Sequence, residues 1–280
     1  MTDLSPLIAA PGPASLPYFD SAFPAQQLIL HAARPRDWHP GMPVVLIHHG
    51  VRRNGRDYRD YWLPHVDAGA MLAIAIEFPE ASFPEYLWYN FGNLCDQDGT
   101  PNPRTRWTFG IGPRLFAALH AQGITTASRY GVFGHSAGGQ YIHRMLSFGY
   151  REHIAVAIGA NAGTYAMPDL SIAWPWGLGE TEFTAADLPS LLSFPLTIMA
   201  GTEDTRTDGR FFPGGKKSML QGPHRHARAH TYLAIARRAA EAQNLSLAWR
   251  VIDVPGVGHD GRRMSDAAAP IIARALRARA

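Results

Sequence analysis

The chain has 280 residues, of which 46% are hydrophobic and 18% charged, and it carries a net charge of +3. That length and balance suit one large domain with a buried core and exclude a disordered or fibrous chain. The basic excess is scattered and not gathered in a tract, so no nucleic-acid surface is read from it. No apolar run approaches the roughly 18 residues of a membrane span.

Residues 1–25 contain five prolines and few charges and are expected to form an extended N-terminal arm. Met1-Thr2-Asp3-Leu4-Ser5-Pro6 lacks the positive start and apolar core of a secretory signal, and Cys95 has no second cysteine to pair with. Both features point to a cytoplasmic setting, with a periplasmic or secreted one left open where a signal has been removed. From Gln26 the pattern is that of one domain running to residue 280. Apolar or β-rich runs predict strands over 26–33, 42–49, 71–78, 130–134, 154–160, 196–200 and 248–254. Helical patterns fall over 57–67, 110–122, the segment after Gly138, 184–192, 223–242 and 264–280. Strands that are apolar on both faces and alternate with helices predict an α/β fold with a mainly parallel sheet covered on both sides. Two stretches, 79–109 and 163–193, have no clean period and read as cap-like insertions; loops that long usually carry function.

The most informative stretch is Gly134-His135-Ser136-Ala137-Gly138, between a strand and a helix. A serine at so tight a turn is lifted clear of the sheet, while the small residues let strand and helix pass closely. Its hydroxyl needs a base, and the base needs an orienting carboxylate. His259 in Gly256-Val257-Gly258-His259 follows the last strand and is the base candidate. Asp204 in Gly201-Thr202-Glu203-Asp204 ends the turn after the strand 196–200 and is preferred over Glu203 and Asp208. Attack on an acyl carbonyl also needs fixed N–H donors for the developing alkoxide. Ala137 supplies one, and Val51, ahead of Gly50, supplies the other from His48-His49-Gly50-Val51, where His49 can brace the loop. Adjacent strand residues point to opposite faces, so His48 and His49 do not make a metal pair.

Taken together, His49-Gly50, Gly134-His135-Ser136-Ala137-Gly138, Gly201-Thr202-Glu203-Asp204 and Gly258-His259 resemble the α/β-hydrolase superfamily over residues 26–280, and within it serine esterases related to polyhydroxyalkanoate depolymerases and feruloyl esterases. The resemblance implies an eight-stranded, mostly parallel sheet, with Ser136 as nucleophile, His259 as base and Asp204 as orienter. It implies an esterase acting on a small or oligomeric ester, polyester or aryl, without a cofactor. A peptidase or amidase, or an acyltransferase, on the same fold is the alternative.

For the substrate, the two insertions offer Phe83, Tyr86, Trp88, Tyr89, Phe91, Trp107, Trp174 and Trp176 as an aromatic wall. Tyr89, Trp107 and Trp174 are selected from these, together with Arg52 and with Asn161, whose place just after a strand sets it at the acid-side loop or the pocket; Arg52 and Arg53 would favour acidic or polar groups if they faced inward. A last cluster, His224, His226 and His230, includes a metal-like spacing of four, but no neighbouring carboxylate or thiol completes a site, and no metal is expected. The sequence leaves the oligomeric state open.

Overall fold

A computed structural model describes residues 2–278. Eight strands form one sheet: β1 (Gly12–Phe19), β2 (Gln27–Arg34), β3 (Val44–His48), β4 (Leu72–Glu77), β5 (Tyr130–His135), β6 (Ile154–Ala160), β7 (Leu196–Gly201) and β8 (Arg250–Val254). Their order across the sheet is β1-β2-β4-β3-β5-β6-β7-β8. β1 and β2 are antiparallel to their neighbours; all pairings from β4 to β8 are parallel.

The expected N-terminal arm is corrected here, because residues 12–19 are the edge strand of the sheet. Its prolines hid it from the sequence. Pro13 and Pro17 cannot donate to a ladder on both sides, and an edge strand does not ask them to. Leu16 and Tyr18 point inward between exposed neighbours, the alternation of a half-covered strand.

Every residue of β3, β5, β6 and β7 is buried. Alternate residues serve two cores. Val44, Leu46, Leu72 and Ile74 face one side, with helices α2 (Ile111–Ala121), α3 (Ala137–Ser147) and α4 (Arg225–Glu241) over it. Val45, Ile47, Ala73 and Ala75 face the other, beneath α1 (Gly55–Trp62) and α5 (Gly261–Arg277). Because the central strands are parallel, the segments after β3, β5, β6, β7 and β8 emerge along one edge. Those segments carry Val51, Ser136, Asn161, Asp204 and His259. No helix among the described residues is long and apolar enough to cross a membrane.

Candidate active site

Ser136 sits between β5 and α3 at φ 58° and ψ −114°, a left-handed conformation that a side chain rarely adopts. Its amide is held by the Ala160 carbonyl at 2.9 Å. The turn closes only because its flanks are bare. A Cβ on Gly138 would strike the carbonyl oxygen of His48, and one on Gly134 the carbonyl oxygen of Gly138.

His259 reaches this serine from the loop after β8. The Ser136 hydroxyl donates to His259 Nε2 at 2.9 Å, and His259 Nδ1 donates to Asp204 Oδ2 at 2.7 Å. Asp204 is 1% exposed, and the Arg225 guanidinium lies 3.5 Å from its other oxygen. The turn carrying Asp204 is closed by its own amide on the Gly201 carbonyl (3.0 Å) and tied to the His259 loop by the Glu203 amide on the Val257 carbonyl (2.9 Å). The structure thus brings Ser136, Asp204 and His259 into one hydrogen-bonded row.

Val51 and Ala137 flank the serine. Ala137 opens α3, where the first amides have no intrahelical acceptor. Val51 lies inside a turn closed by the Arg53 amide on the Gly50 carbonyl at 3.2 Å. The loop is braced from below. His49 Nε2 accepts from the Phe78 amide at 3.0 Å, which leaves the proton on Nδ1, and that N–H donates to the Gly50 carbonyl at 2.8 Å. Burial pushes the pKa of His49 down to about 3, so the ring is neutral and keeps this tautomer. The Tyr89 hydroxyl donates to the His49 carbonyl at 2.6 Å.

A further ring was not singled out from the sequence. His135, the residue before Ser136, is fully buried, stands 4.8 Å from the His259 ring and shares a 2.7 Å hydrogen bond with the Tyr58 hydroxyl. Burial holds it well below its ordinary pKa, with His259 and Arg225 pressing the same way, so it stands as a neutral wall behind the histidine.

Two cavities meet at Ser136. The larger, about 620 Å³, has Phe91, Trp174, Trp176 and Phe212 on its walls and Asn90 and Gln140 deeper in. The smaller, about 320 Å³, runs past His259 and is lined by Arg52, Tyr58 and Tyr61. Phe211 and Val51 border both.

Of the residues expected at the substrate, Trp174 and Arg52 do line these cavities. Tyr89 and Trp107 do not, and their assignment is corrected; Asn161, of its two expected places, takes the acid-side loop and not the pocket. Tyr89 and Trp107 are 0% and 2% exposed. Tyr89 packs under the Val51 loop, and Trp107 packs against Phe148 with its indole N–H on the Asn102 carbonyl. Asn161 instead bridges the two loops that hold Asp204 and His259: its Oδ1 accepts from the Gly201 amide (2.8 Å) and its Nδ2 donates to the Gly258 carbonyl (2.9 Å). Arg53 turns away from the cavity, donating to the carbonyls of Phe78, Phe83 and Glu85. Phe211 and Phe212, on the loop after Asp204, were not expected at the pocket; their only sequence signal was the adjacency of that loop to the acid.

A serine raised at positive φ at the carboxyl edge of such a sheet, with histidine and carboxylate supplied by later strands, is the arrangement of α/β-hydrolases. Solved structures share the fold of this chain. LpqC, a poly(3-hydroxybutyrate) depolymerase from Bordetella parapertussis, is 36% identical, with 94% of this chain and 90% of that one covered at a TM-score of 0.89. Poly(aspartic acid) hydrolase-1 from Sphingomonas sp. KT-1 is 33% identical, with 94% and 99% covered at the same TM-score. An S-formylglutathione hydrolase from Agrobacterium tumefaciens, 14% identical at a TM-score of 0.60 over 95% and 94% of the two chains, shares the fold. No protein-family model matches the chain, and a search of curated proteins returns no match. The chain belongs to the α/β-hydrolase superfamily, and it is a hydrolase with depolymerases and esterases among its structural neighbours.

Proposed function

We propose that the chain is a serine hydrolase that cleaves carboxylic esters through an acyl-enzyme. The observation that carries this reading is the row Asp204, His259, Ser136, with distances of 2.7 and 2.9 Å, beside the amides of Val51 and Ala137. His259 takes the proton from Ser136 as the hydroxyl attacks the carbonyl. Asp204 holds the ring in the tautomer whose Nε2 can accept it and stabilises the imidazolium that results. The amides of Val51 and Ala137 receive the oxyanion, each such donor being worth about 3 kcal/mol. The imidazolium then protonates the leaving alcohol, and a water activated by the same ring releases the acid.

The leaving group departs on the His259 side, past Arg52 and Tyr61. The acyl part lies in the larger cavity, whose aromatic wall suits a hydroxyalkanoate oligomer or an aryl acyl group. The 36% identity to a poly(3-hydroxybutyrate) depolymerase supports the polyester reading.

A second reading, an amide hydrolase for acidic chains, is favoured by the charges behind the cavity. Arg144 and Arg228 are fully buried, and among the described residues neither has a carboxylate partner; both donate to carbonyls. Burial lowers Arg144 to about 9 and Arg228 to about 10, so both stay charged at neutral pH and favour a substrate bearing carboxylates. The 33% identity to a poly(aspartic acid) hydrolase points the same way.

The test is turnover of a short nitrophenyl ester by the parent and by Ser136→Ala. A loss of about 10⁴-fold or more is expected; unchanged turnover ends the proposal. Running the parent on hydroxybutyrate oligomers and on an aspartyl oligoamide then separates the two readings by their kcat/KM.

A further inference from the structure

The histidine cluster dismissed from the sequence for want of a carboxylate acquires one in the fold. His226 and His230 lie one turn apart on α4, so their rings leave the helix on the same face. β8 runs past that face and presents Asp253, 23 residues beyond His230 in the chain. Both Nε2 atoms stand 2.9 Å from the same Asp253 Oδ1. The ligand atoms of the three residues all lie within 4.8 Å of one another. His224 is separate: it caps α4, its Nδ1 accepting from the Ala227 amide at 3.2 Å.

We infer that His226, His230 and Asp253 form a site for a divalent transition metal of the zinc class. Two imidazoles and a carboxylate are the donor set that zinc, cobalt and nickel take, and one that magnesium and calcium, which prefer all-oxygen shells, do not. Tetrahedral ligands about 2.0–2.1 Å from a zinc ion sit about 3.3 Å apart. Each Nε2–Oδ1 separation opens by about 0.4 Å to admit the ion, and the two Nε2 atoms, within 4.8 Å of each other, settle at the same spacing; the ion takes the place of the two Nε2 protons, and each neutral ring then carries its proton on Nδ1. The side chains are 25%, 44% and 44% exposed, leaving solvent room for a water as fourth ligand.

The ion would act as a clamp. It joins the first two turns of α4 to β8, and those turns hold the acid side of the active site. The His226 amide donates to the Asp204 carbonyl at 3.2 Å, and Arg225, the preceding residue, faces the Asp204 carboxylate. The strand end that carries Asp253 leads within six residues to His259.

The experiment uses the full chain, stripped with a chelator and dialysed. Zinc titrated into it is expected to bind with a stoichiometry of one and to raise Tm by about 5 °C at a hundredfold excess over its dissociation constant. Magnesium and calcium leave Tm unmoved. Cobalt(II) gives the intense visible absorption of a four-coordinate site. Asp253→Asn and His230→Ala, outside the proposed triad, lose both the binding and the shift. Absence of saturable zinc binding by the parent, a weak octahedral cobalt spectrum, or equal binding in the two variants overturns the assignment, the last by moving zinc to another histidine. The cobalt spectrum of the parent needs no variant and so stands even where a substitution impairs folding.

Discussion

Beneath Ser136 the chain leaves no slack, and above it the chain is loosely and aromatically lined. The floor is backbone on backbone: the first turn of α3 lies against the His48 and His49 carbonyls where Gly138 has no side chain, and each loop bearing a site residue is pinned to its neighbour. The roof is side chain on side chain. Trp174 packs edge-on to Phe91 and Phe148, Arg144 lies under both Trp174 and Phe91, and Phe211 is 48% exposed at the rim. A floor of that kind fixes the positions of reacting atoms, as chemistry requires. A roof of that kind can change what it fits without disturbing them. The chemistry of this molecule should therefore resist alteration from the roof, and its substrate preference should resist alteration from the floor.

The largest break is expected in the floor. Asp204→Asn keeps the shape but offers an amide where His259 Nδ1 now donates to a carboxylate at 2.7 Å. The ring then loses its preferred tautomer and the stabilisation of its cation. We expect kcat to fall by about 10³–10⁴-fold on esters of every acyl length, with KM little changed. A loss that varied with acyl length would mean that Asp204 belongs to the roof.

Acid should also reach the floor first. His48 and His49, both fully buried, are pushed down by burial to about 3, against about 6.5 in an unfolded chain. Their neutral forms suit the fold, so the stability they support is complete above pH 6.5 and is lost as pH falls toward 3, because only the unfolded chain then takes up the protons. At pH 5 each costs about 2 kcal/mol. Urea unfolding at pH 7.5 and pH 5 measures this; equal midpoints would mean that these rings are solvated.

Much of this floor could be read from the sequence, and the reasons are local. An apolar run that ends in Gly-x-Ser-x-Gly, or in a glycine followed by an acid or a histidine, states both the strand and where the chain leaves it. What escaped reading depends on partners far away in the chain. β1 was hidden because proline argues against a strand unless one knows that the strand is an edge. Tyr89 and Trp107 read as wall residues in the sequence because composition cannot say which side of a loop faces a cavity. For Asn161 the sequence offers the acid-side loop or the pocket, and only two strand pairings, β6 with β7 and β7 with β8, decide for Gly201 and Gly258. Asp253 meets His226 and His230 only through the packing of α4 on the sheet edge.

Asn161 sharpens the comparison at a smaller scale. It sits at φ 46°, a conformation asparagine tolerates better than alanine, and it ties the Gly201 amide to the Gly258 carbonyl. Asn161→Ala frees the acid loop from the histidine loop without touching the cavity. A fall in kcat of about tenfold with KM unchanged is expected. A rise in KM alone would return Asn161 to the substrate.

The smallest effect on turnover, and the one that divides roof from floor most sharply, comes from a comparison of two tryptophans. Trp174 is half-buried on the wall of the larger cavity, and Trp107 is buried behind it against Phe148. Trp174→Ala removes wall area that only a long or aromatic acyl group would cover. KM for such an ester should rise about three- to tenfold, as expected for one lost apolar contact of about 1 kcal/mol, while an acetyl ester, too short to reach the ring, is turned over as before. Trp107→Ala leaves the wall standing but opens a cavity in the core. It should cost about 3–5 kcal/mol of stability, seen as a lower Tm, with the ratio of long- to short-acyl kcat/KM unchanged in the folded fraction. If Trp107→Ala changed the acyl preference as strongly as Trp174→Ala does, the roof would be one coupled layer extending into the core, and preference could not be tuned without loss of stability.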